Sequence, residues 1–527
     1  MEELEAQSTA LTVVTSSDQD CATPSLSPPD SKTLRTINDL PVEILIQIFE
    51  HSVLFTCKHD DHRLAYWDEV DRMTRQRWMV PRNVYTRRDE SADPRSPSLF
   101  PDALAAVCCL WRDALTLVSL FWTRIVVFVD DDPTPLSRLR TRLELSHEHP
   151  LDIIITRHLC SVTDSDPLEK RRVTDAMQVL YQHIARWRSL RINVLHTVSI
   201  PAPNIQMQGR AASLINLRLQ SHIQMQGRAA SPINLRLQSQ MARKRFRPAG
   251  IAKLCFHAPG LTDLEIDGLT FRRSFLSIPQ SIASVKRLVI SRYSPGTQSR
   301  MLFTVRALAE CLSALPHVDE VSLIDLDISS SVGAALPQPL AFTASFFHLE
   351  GLSSEVLQAL FDLLDSDLNF LHLIRCAVPD SIDLGWASEL HLQNLDTTES
   401  IAPLLLNWDS EVLYFHACPS FNSALLDEMA EEAEDGAWLC STLEELSIYD
   451  CRRFNSGDIR RMVQARRMSH AEIGFADNAH PAFVVTSVLY LKVQNGPELA
   501  PKDREWFDCN VQSVWWNGWQ GGHQEEW

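Results

Sequence analysis

The chain has 527 residues, 45% of them hydrophobic, which is enough apolar side chain for one large core or several. Its formal net charge of −18 speaks against nucleic-acid binding as the main activity, because phosphate contact needs a net basic face. Glycine is scarce, at 16 residues, and no GxGxxG or Walker-type run occurs. That counts against nucleotide-dependent enzymes, whose phosphate loops need clustered glycines so that backbone N–H groups can approach the anion.

Residues 1–33, with SSDQDCATPSLSPPDSK, are polar and expected to be disordered. The opening MEELEAQ lacks the basic-then-apolar order of a secretory signal. The 12 cysteines stand singly apart from Cys108-Cys109, with no CxxC pair. These features predict reduced thiols in an intracellular chain, cytoplasmic or nuclear. No apolar run is long enough to span a bilayer, so no membrane partner is expected.

The first strongly patterned stretch is INDLPVEILIQIFEHSV, Ile37 to Val53. Leu40, as the residue before a proline, is pushed out of the helical region, and Pro41 suits a first helical position. Glu43 in the first turn complements the helix dipole. Ile44, Leu45, Ile48 and Phe49 then make one apolar face. A helix this short is not stable alone and must pack on something. The second stretch, Leu104 to Val127, reads LAAVCCLWRDALTLVSLFWTRIVV. Leu104, Val107, Cys108, Trp111 and Leu115 recur in it at helical spacing, Trp122 follows a short break, and a β-rich run begins. Between the two, about 55–98 is rich in Arg and Asp and reads as an inserted surface loop.

Together these stretches resemble the F-box. That family's pattern is Leu-Pro opening a first helix, then Val-Cys and a Trp-Arg pair on a later helix, then a closing Trp. The matching residues are Leu40, Pro41, Glu43, Ile44, Leu45, Ile48, Phe49, Val107, Cys108, Trp111, Arg112 and Trp122. The insertion departs from a compact F-box, although fungal members carry comparable ones.

F-box chains usually carry a recognition domain, and a template LxxLxLxx(N/C)xL recurs downstream. Leu368/Leu371/Leu373/Cys376, Leu443/Leu446/Ile448/Cys451 and Leu413/Phe415/Cys418 fit it with the cysteine. Leu261/Leu264/Ile266, Val285/Leu288/Ile290, Val318/Val321/Leu323, Leu390/Leu392 and Trp187/Leu190/Ile192 fit it without. The spacing is that of a leucine-rich unit. A short parallel strand alternates its side chains, so LxL sends two residues into a core. Helical faces lie between, as in SSEVLQALFDLLDS with Val356, Leu357, Leu360, Phe361 and Leu364.

The expected fold is therefore α/β: a small all-α F-box helical domain over 34–128, then an irregular leucine-rich-repeat solenoid over 129–500, parallel strands alternating with helices. A Trp-rich segment, 501–527, is read as a cap on the last repeat or as a partner groove. A near-exact duplication, Ile205–Ser221 and Ile223–Ser239, differs only at Leu214 against Pro232, and one copy is expected to be poorly packed.

Other candidates carry little. Cys57, His59 and His62 lack the further ligand a zinc site needs. The basic run Ala242–Pro248 and the acidic run Asp427–Trp438 read as solvated surface. No nucleophile elbow, HExxH or ordered carboxylate pair occurs, so no catalytic residue, metal or cofactor is assigned.

The resemblance implies a non-catalytic substrate receptor of a cullin–RING ubiquitin ligase of the SCF type. It would bind the Skp adaptor, and through it a cullin, by the F-box, and an unidentified protein target by the repeats. The adaptor set it implies is Leu40, Pro41, Ile44, Leu45, Ile48, Phe49, Val107, Cys108, Trp111 and Leu115, of which Val107, Trp111 and Leu115 serve equally well as F-box core. The alternative is a leucine-rich interaction scaffold with no ligase role; an enzyme comes a distant third.

Overall fold

The computed structural model describes residues 37–52, 101–157, 166–201, 211–223, 257–295, 303–330, 339–342, 344–366, 368–379, 382, 384, 387–395, 401–406, 408–433, 438–473 and 485–523. The polar start 1–33, the insertion at about 55–98 with Cys57, His59 and His62, the run Ala242–Pro248 and residues 224–239 of the second duplicated copy lie outside that set.

The architecture is mixed α/β, dominated by one large sheet. Its strands are β1 (Arg124–Phe128), β2 (Leu151–Thr156), β3 (Trp187–His196), β4 (Asn216–Ile223), β5 (Asp263–Asp267), β6 (Arg287–Tyr293) and β7 (Glu320–Leu326). After a short β8 (Leu340–Phe342) come β9 (Phe346–Glu350), β10 (Leu364–Ser366), β11 (Phe370–Ile374), β12 (Glu389–Gln393) and β13 (Val412–His416). Last are β14 (Glu445–Tyr449), β15 (Tyr490–Gln494), β16 (Ser513–Trp516) and β17 (Trp519–Gly521). Strands β8 and β10 pair with each other; the remaining fifteen form one sheet in strict chain order. Every pair in it is parallel except the closing β16–β17 hairpin.

Helices precede and punctuate the strands. They are α1 (42–52), α2 (Asp102–Ala105), α3 (Cys109–Thr116), α4 (Leu136–Leu145), α5 (Glu169–Leu180), α6 (Gly268–Ser274) and α7 (Val305–Ser313). Then follow α8 (Ser354–Leu363), α9 (Ala402–Leu406), α10 (Ser423–Glu428), α11 (Ser456–Ile473) and α12 (Pro501–Asn510). The start of α8 is set by Ser353, whose hydroxyl accepts from the Val356 N–H. The Thr304 hydroxyl accepts from the Ala307 N–H at the start of α7, and the Asn422 amide oxygen from the Leu425 N–H at the start of α10.

The leucine anchors are the sheet's inner face. Leu190, Leu217, Leu264, Leu288, Val321, Phe347, Leu371, Leu390, Leu413, Leu446, Leu491 and Val514 are register neighbours from strand to strand. A second row two residues on, from Ile192 to Trp516, runs beside it, and both rows are fully buried in one continuous core with the apolar faces of the helices. Burial of a side chain of this size stabilises by about 1.5–3 kcal/mol. Leu217 and Leu219 of the first duplicated copy occupy both rows.

The strand ends repeat too. A left-handed residue lies at the end of each strand of the large sheet from β6 to β16: Arg292, Asp325, Gly351, Arg375, Asn394, Ala417, Asp450, Asn495 and Asn517. The N–H groups of Gly351, Arg375, Asn394, Ala417 and Asp450 each donate to the last carbonyl of the following strand. At Gly351 (φ +65°) a Cβ would meet the Asp325 carboxylate, so a side chain there would require that carboxylate to move aside, and glycine takes the left-handed turn without strain. The template cysteines come just after these turns. The Cys376 and Cys418 thiols donate back to the Leu349 and Leu392 carbonyls at 3.4 and 3.3 Å. Burial pushes both up to about 11, which makes them structural rather than reactive.

At the far end, Arg466 of α11 is fully buried. It donates to the carbonyls of Leu439 (2.9 Å), Cys440 (2.6 Å), Ser441 (3.1 Å) and Thr486 (3.3 Å). Burial lowers its pKa to about 10. Beyond it, Trp516 packs on Phe454 and Phe507, and its indole N–H donates to the Pro497 carbonyl.

Replacing Arg466 by Met leaves those carbonyls without their donor in a dry site, at a cost of about 3 kcal/mol. Native-state hydrogen exchange over 438–473 should then accelerate about a hundred-fold, with the sheet's other end unchanged. An unchanged rate would refute the staple role.

Candidate functional site

Residues 37–52 and 101–122 make a small helical unit with its own core of Leu45, Phe49, Ala105, Ala114, Leu115, Phe121 and Trp122. Phe49 meets Trp111 edge-to-face at 5.2 Å, and the Trp122 indole donates to the Leu115 carbonyl at 3.0 Å. The single helix expected across Leu104–Leu115 is broken. Cys108 is extended (φ −161°, ψ 170°) and separates α2 from α3, with Arg112 Nε donating across the break to the Ala105 carbonyl. The break turns Val107 outward. Asp102 is held by Arg138 at 3.1 Å and by the buried Arg142, both on α4, which ties the unit to the sheet's first layer.

The expected adaptor set divides accordingly. Leu45, Phe49 and Leu115 are enclosed, and Trp111 is half-buried against them, so these four hold the unit together and present little or no surface. Cys108 is half-buried at the break. Leu40, Pro41, Ile44, Ile48 and Val107 are exposed. The contrast on α1 is sharp: Ile44 is 40% exposed and Leu45, its neighbour, 0%. Ile44 and Ile48 are four residues apart and share the outer face of α1, and Leu40 is exposed just before the helix. Of the fifteen large apolar side chains exposed among the described residues, eight belong to this unit: Ile37, Leu40, Ile44, Ile48, Val107, Leu110, Leu117 and Leu120.

A second surface escaped the sequence reading. The middle residue of each LxL anchor points away from the core. In register across β9 to β16 these are His348, His372, His391, Tyr414, Ser447, Lys492 and Trp515. The row beside it runs Phe346, Phe370, Glu389, Val412, Glu445 and Tyr490. The rings pack on one another: Phe346 on Phe370 and His391 on Tyr414 stack with centroids 4.3 and 4.7 Å apart. This crowding sets the electrostatics. Hydrogen bonds from His348 and Arg375 hold Glu350 down to about 2. Burial first, then the like charge of Glu389, pushes Glu445 up to about 8, against the pull of Lys492. The signal for this surface was present in the sequence as the x of LxL. It becomes a surface only when parallel pairing aligns the strands.

Among the described residues no group of histidine, cysteine and carboxylate side chains could hold a metal, and no helix is long and apolar enough to cross a membrane. No known protein family and no curated protein matches the chain.

The folded chain keeps Glu445 protonated where an unfolded glutamate, with a pKa of about 4.3, has lost its proton. Glu445 therefore costs stability as pH rises from there to about 8. Glu445→Gln removes the cost. Thermal melts of the variant and wild type should nearly coincide at pH 4, with the variant melting higher by a growing margin to pH 8. A margin independent of pH would refute the assignment.

Proposed function

We propose that this chain is the substrate-recognition subunit of an SCF-type ubiquitin ligase. The helical unit over 37–122 acts as an F-box that docks on the Skp adaptor and thereby a cullin. The sheet and its helices form an irregular leucine-rich-repeat solenoid that holds a protein target. The chain itself does no chemistry; it contributes proximity and orientation for transfer by a partner enzyme. Such a subunit works in the cytoplasm or nucleus.

The observation that carries the reading is the division of α1. Leu45 and Phe49 complete the unit's own core, yet Ile44 and Ile48 remain exposed on the other face, with Leu40 exposed just ahead of the helix. A row of aliphatic side chains left in water on a short helix fits a surface that is buried a second time, against a partner. The revised contact set is Leu40, Pro41, Ile44, Ile48 and Val107.

Co-purification with the Skp adaptor tests it. Wild type should form a stoichiometric complex, and Ile44→Asp/Ile48→Asp should weaken it at least about ten-fold, since each site buries apolar area worth more than 1 kcal/mol. Circular dichroism should show the variant folded, because both positions lie outside the core. Failure of the folded wild type to bind would overturn the ligase reading and leave an interaction scaffold.

A further inference from the structure

Strands β12 to β15 carry a cluster that the adaptor surface leaves unused. Glu389 and Glu445 occupy one register row with Val412 between them, roughly 10 Å apart at the usual strand spacing. Glu411 and Glu444 stand at the entrances of the same strands. Lys492 is the one lysine or arginine on the described strands from β9 to β16, so carboxylate predominates at this end of the face.

Two further observations point to a ligand. Ser447 lies two residues from Glu445 on the same face, in register between Tyr414 and Lys492. It is fully buried and its hydroxyl has no hydrogen-bond partner. Lys492 is itself placed like a bound cation. Its ammonium lies 5.3 Å from the Tyr449 ring centroid and 5.6 Å from that of Trp515, beside Glu445.

We propose that this cluster is a binding site for an arginine side chain in a basic segment of a partner protein. The guanidinium takes the place of the Lys492 ammonium beside Glu445, stacks against the Tyr449 and Trp515 rings, and donates to Glu445 and the Ser447 hydroxyl, with Glu389 completing the charge balance. Arginine fits better than lysine because it is planar, weakly hydrated and able to stack and fork at once. Lys492 then acts as an internal competitor that keeps the site closed to weaker cations. This deepens the target-holding role proposed for the sheet and names a class of target: a protein with an exposed arginine-bearing segment.

Ionisation of Glu445 by the incoming charge makes binding release protons near neutral pH. The groups that face it are Glu389 and His391 on β12, Tyr414 on β13, and Tyr490 and Lys492 on β15.

The probe is a fluorescein-labelled Gly/Ser decapeptide with two central arginines, titrated by anisotropy into the full chain. Companions carry citrulline or glutamate at the same positions. The arginine peptide should bind at least about ten-fold more tightly than either. Glu445→Gln should erase that preference, and Lys492→Met should strengthen binding. A purely structural role for the pair would not move the two variants in opposite directions. Calorimetry in buffers of different ionisation enthalpy should register proton release. Equal binding of arginine and citrulline peptides, preference for the glutamate peptide, or indifference to Glu445→Gln would overturn the proposal, as would weaker binding by Lys492→Met. Both variants should capture the Skp adaptor as wild type does. Adaptor failure with intact peptide binding would count against the ligase reading alone, and the reverse against this site alone.

Discussion

Everything in the large domain depends on one constraint, the parallel register that stacks two rows of aliphatic side chains under the sheet. A strand alternates its side chains between faces, so moving any strand by one residue would take its leucines out of the core and put its polar residues in. With both rows fully buried from Ile125 and Val127 to Val514 and Trp516, such a slip is prohibitively costly. The left-handed turns that end the strands then follow, because each chain must leave the sheet at the same level to reach the helical side. They recur in residues as different as Arg292, Ala417 and Asn495.

The outer face is a by-product of that register, and its two ends differ. Toward the start, charges neutralise one another across strands: Arg188 with Asp152, Arg218 with Glu265, Arg287 with Glu320. Toward the end, rings replace the long charged side chains, and the packing of His391 on Tyr414 and of Tyr414 on Tyr449 withdraws the intervening groups from water. Desolvation is what holds Glu445 protonated and disfavours the charge of Lys492. Perturbed electrostatics arise here from packing on a sheet face.

The helical unit obeys a different logic. It is too small to bury all its apolar side chains, and its core of seven residues uses one face of each short helix. The aliphatics left over are concentrated there, while the sheet domain, many times larger, exposes fewer. The Asp102 pair with Arg142, whose guanidinium also donates to the Val126 carbonyl, sets the orientation in which that face is presented.

The sequence by itself determined the inward pattern. The LxL pair of each anchor read from the sequence lies on a strand, from Leu190/Ile192 on β3 to Leu446/Ile448 on β14, and Leu40-Pro41 marks the approach to α1. Strands β9 and β16 depart from the pattern because Phe347 and Trp516 take positions that aliphatics mostly hold elsewhere, whereas β15 carries it in Val488, Leu491 and Val493. Only the tertiary structure decided which apolar residues of a helix are core and which are surface. Ile44 and Leu45 are alike in composition and adjacent in sequence, and only packing against Trp122 and Leu115 separates them. It alone decided, too, that Glu389, Tyr414, Glu445, Ser447 and Lys492 share a site. They are up to a hundred residues apart, and the parallel ladder sets neighbouring strands about 5 Å apart. Local pattern reports which way a side chain points; what it meets there depends on the rest of the chain.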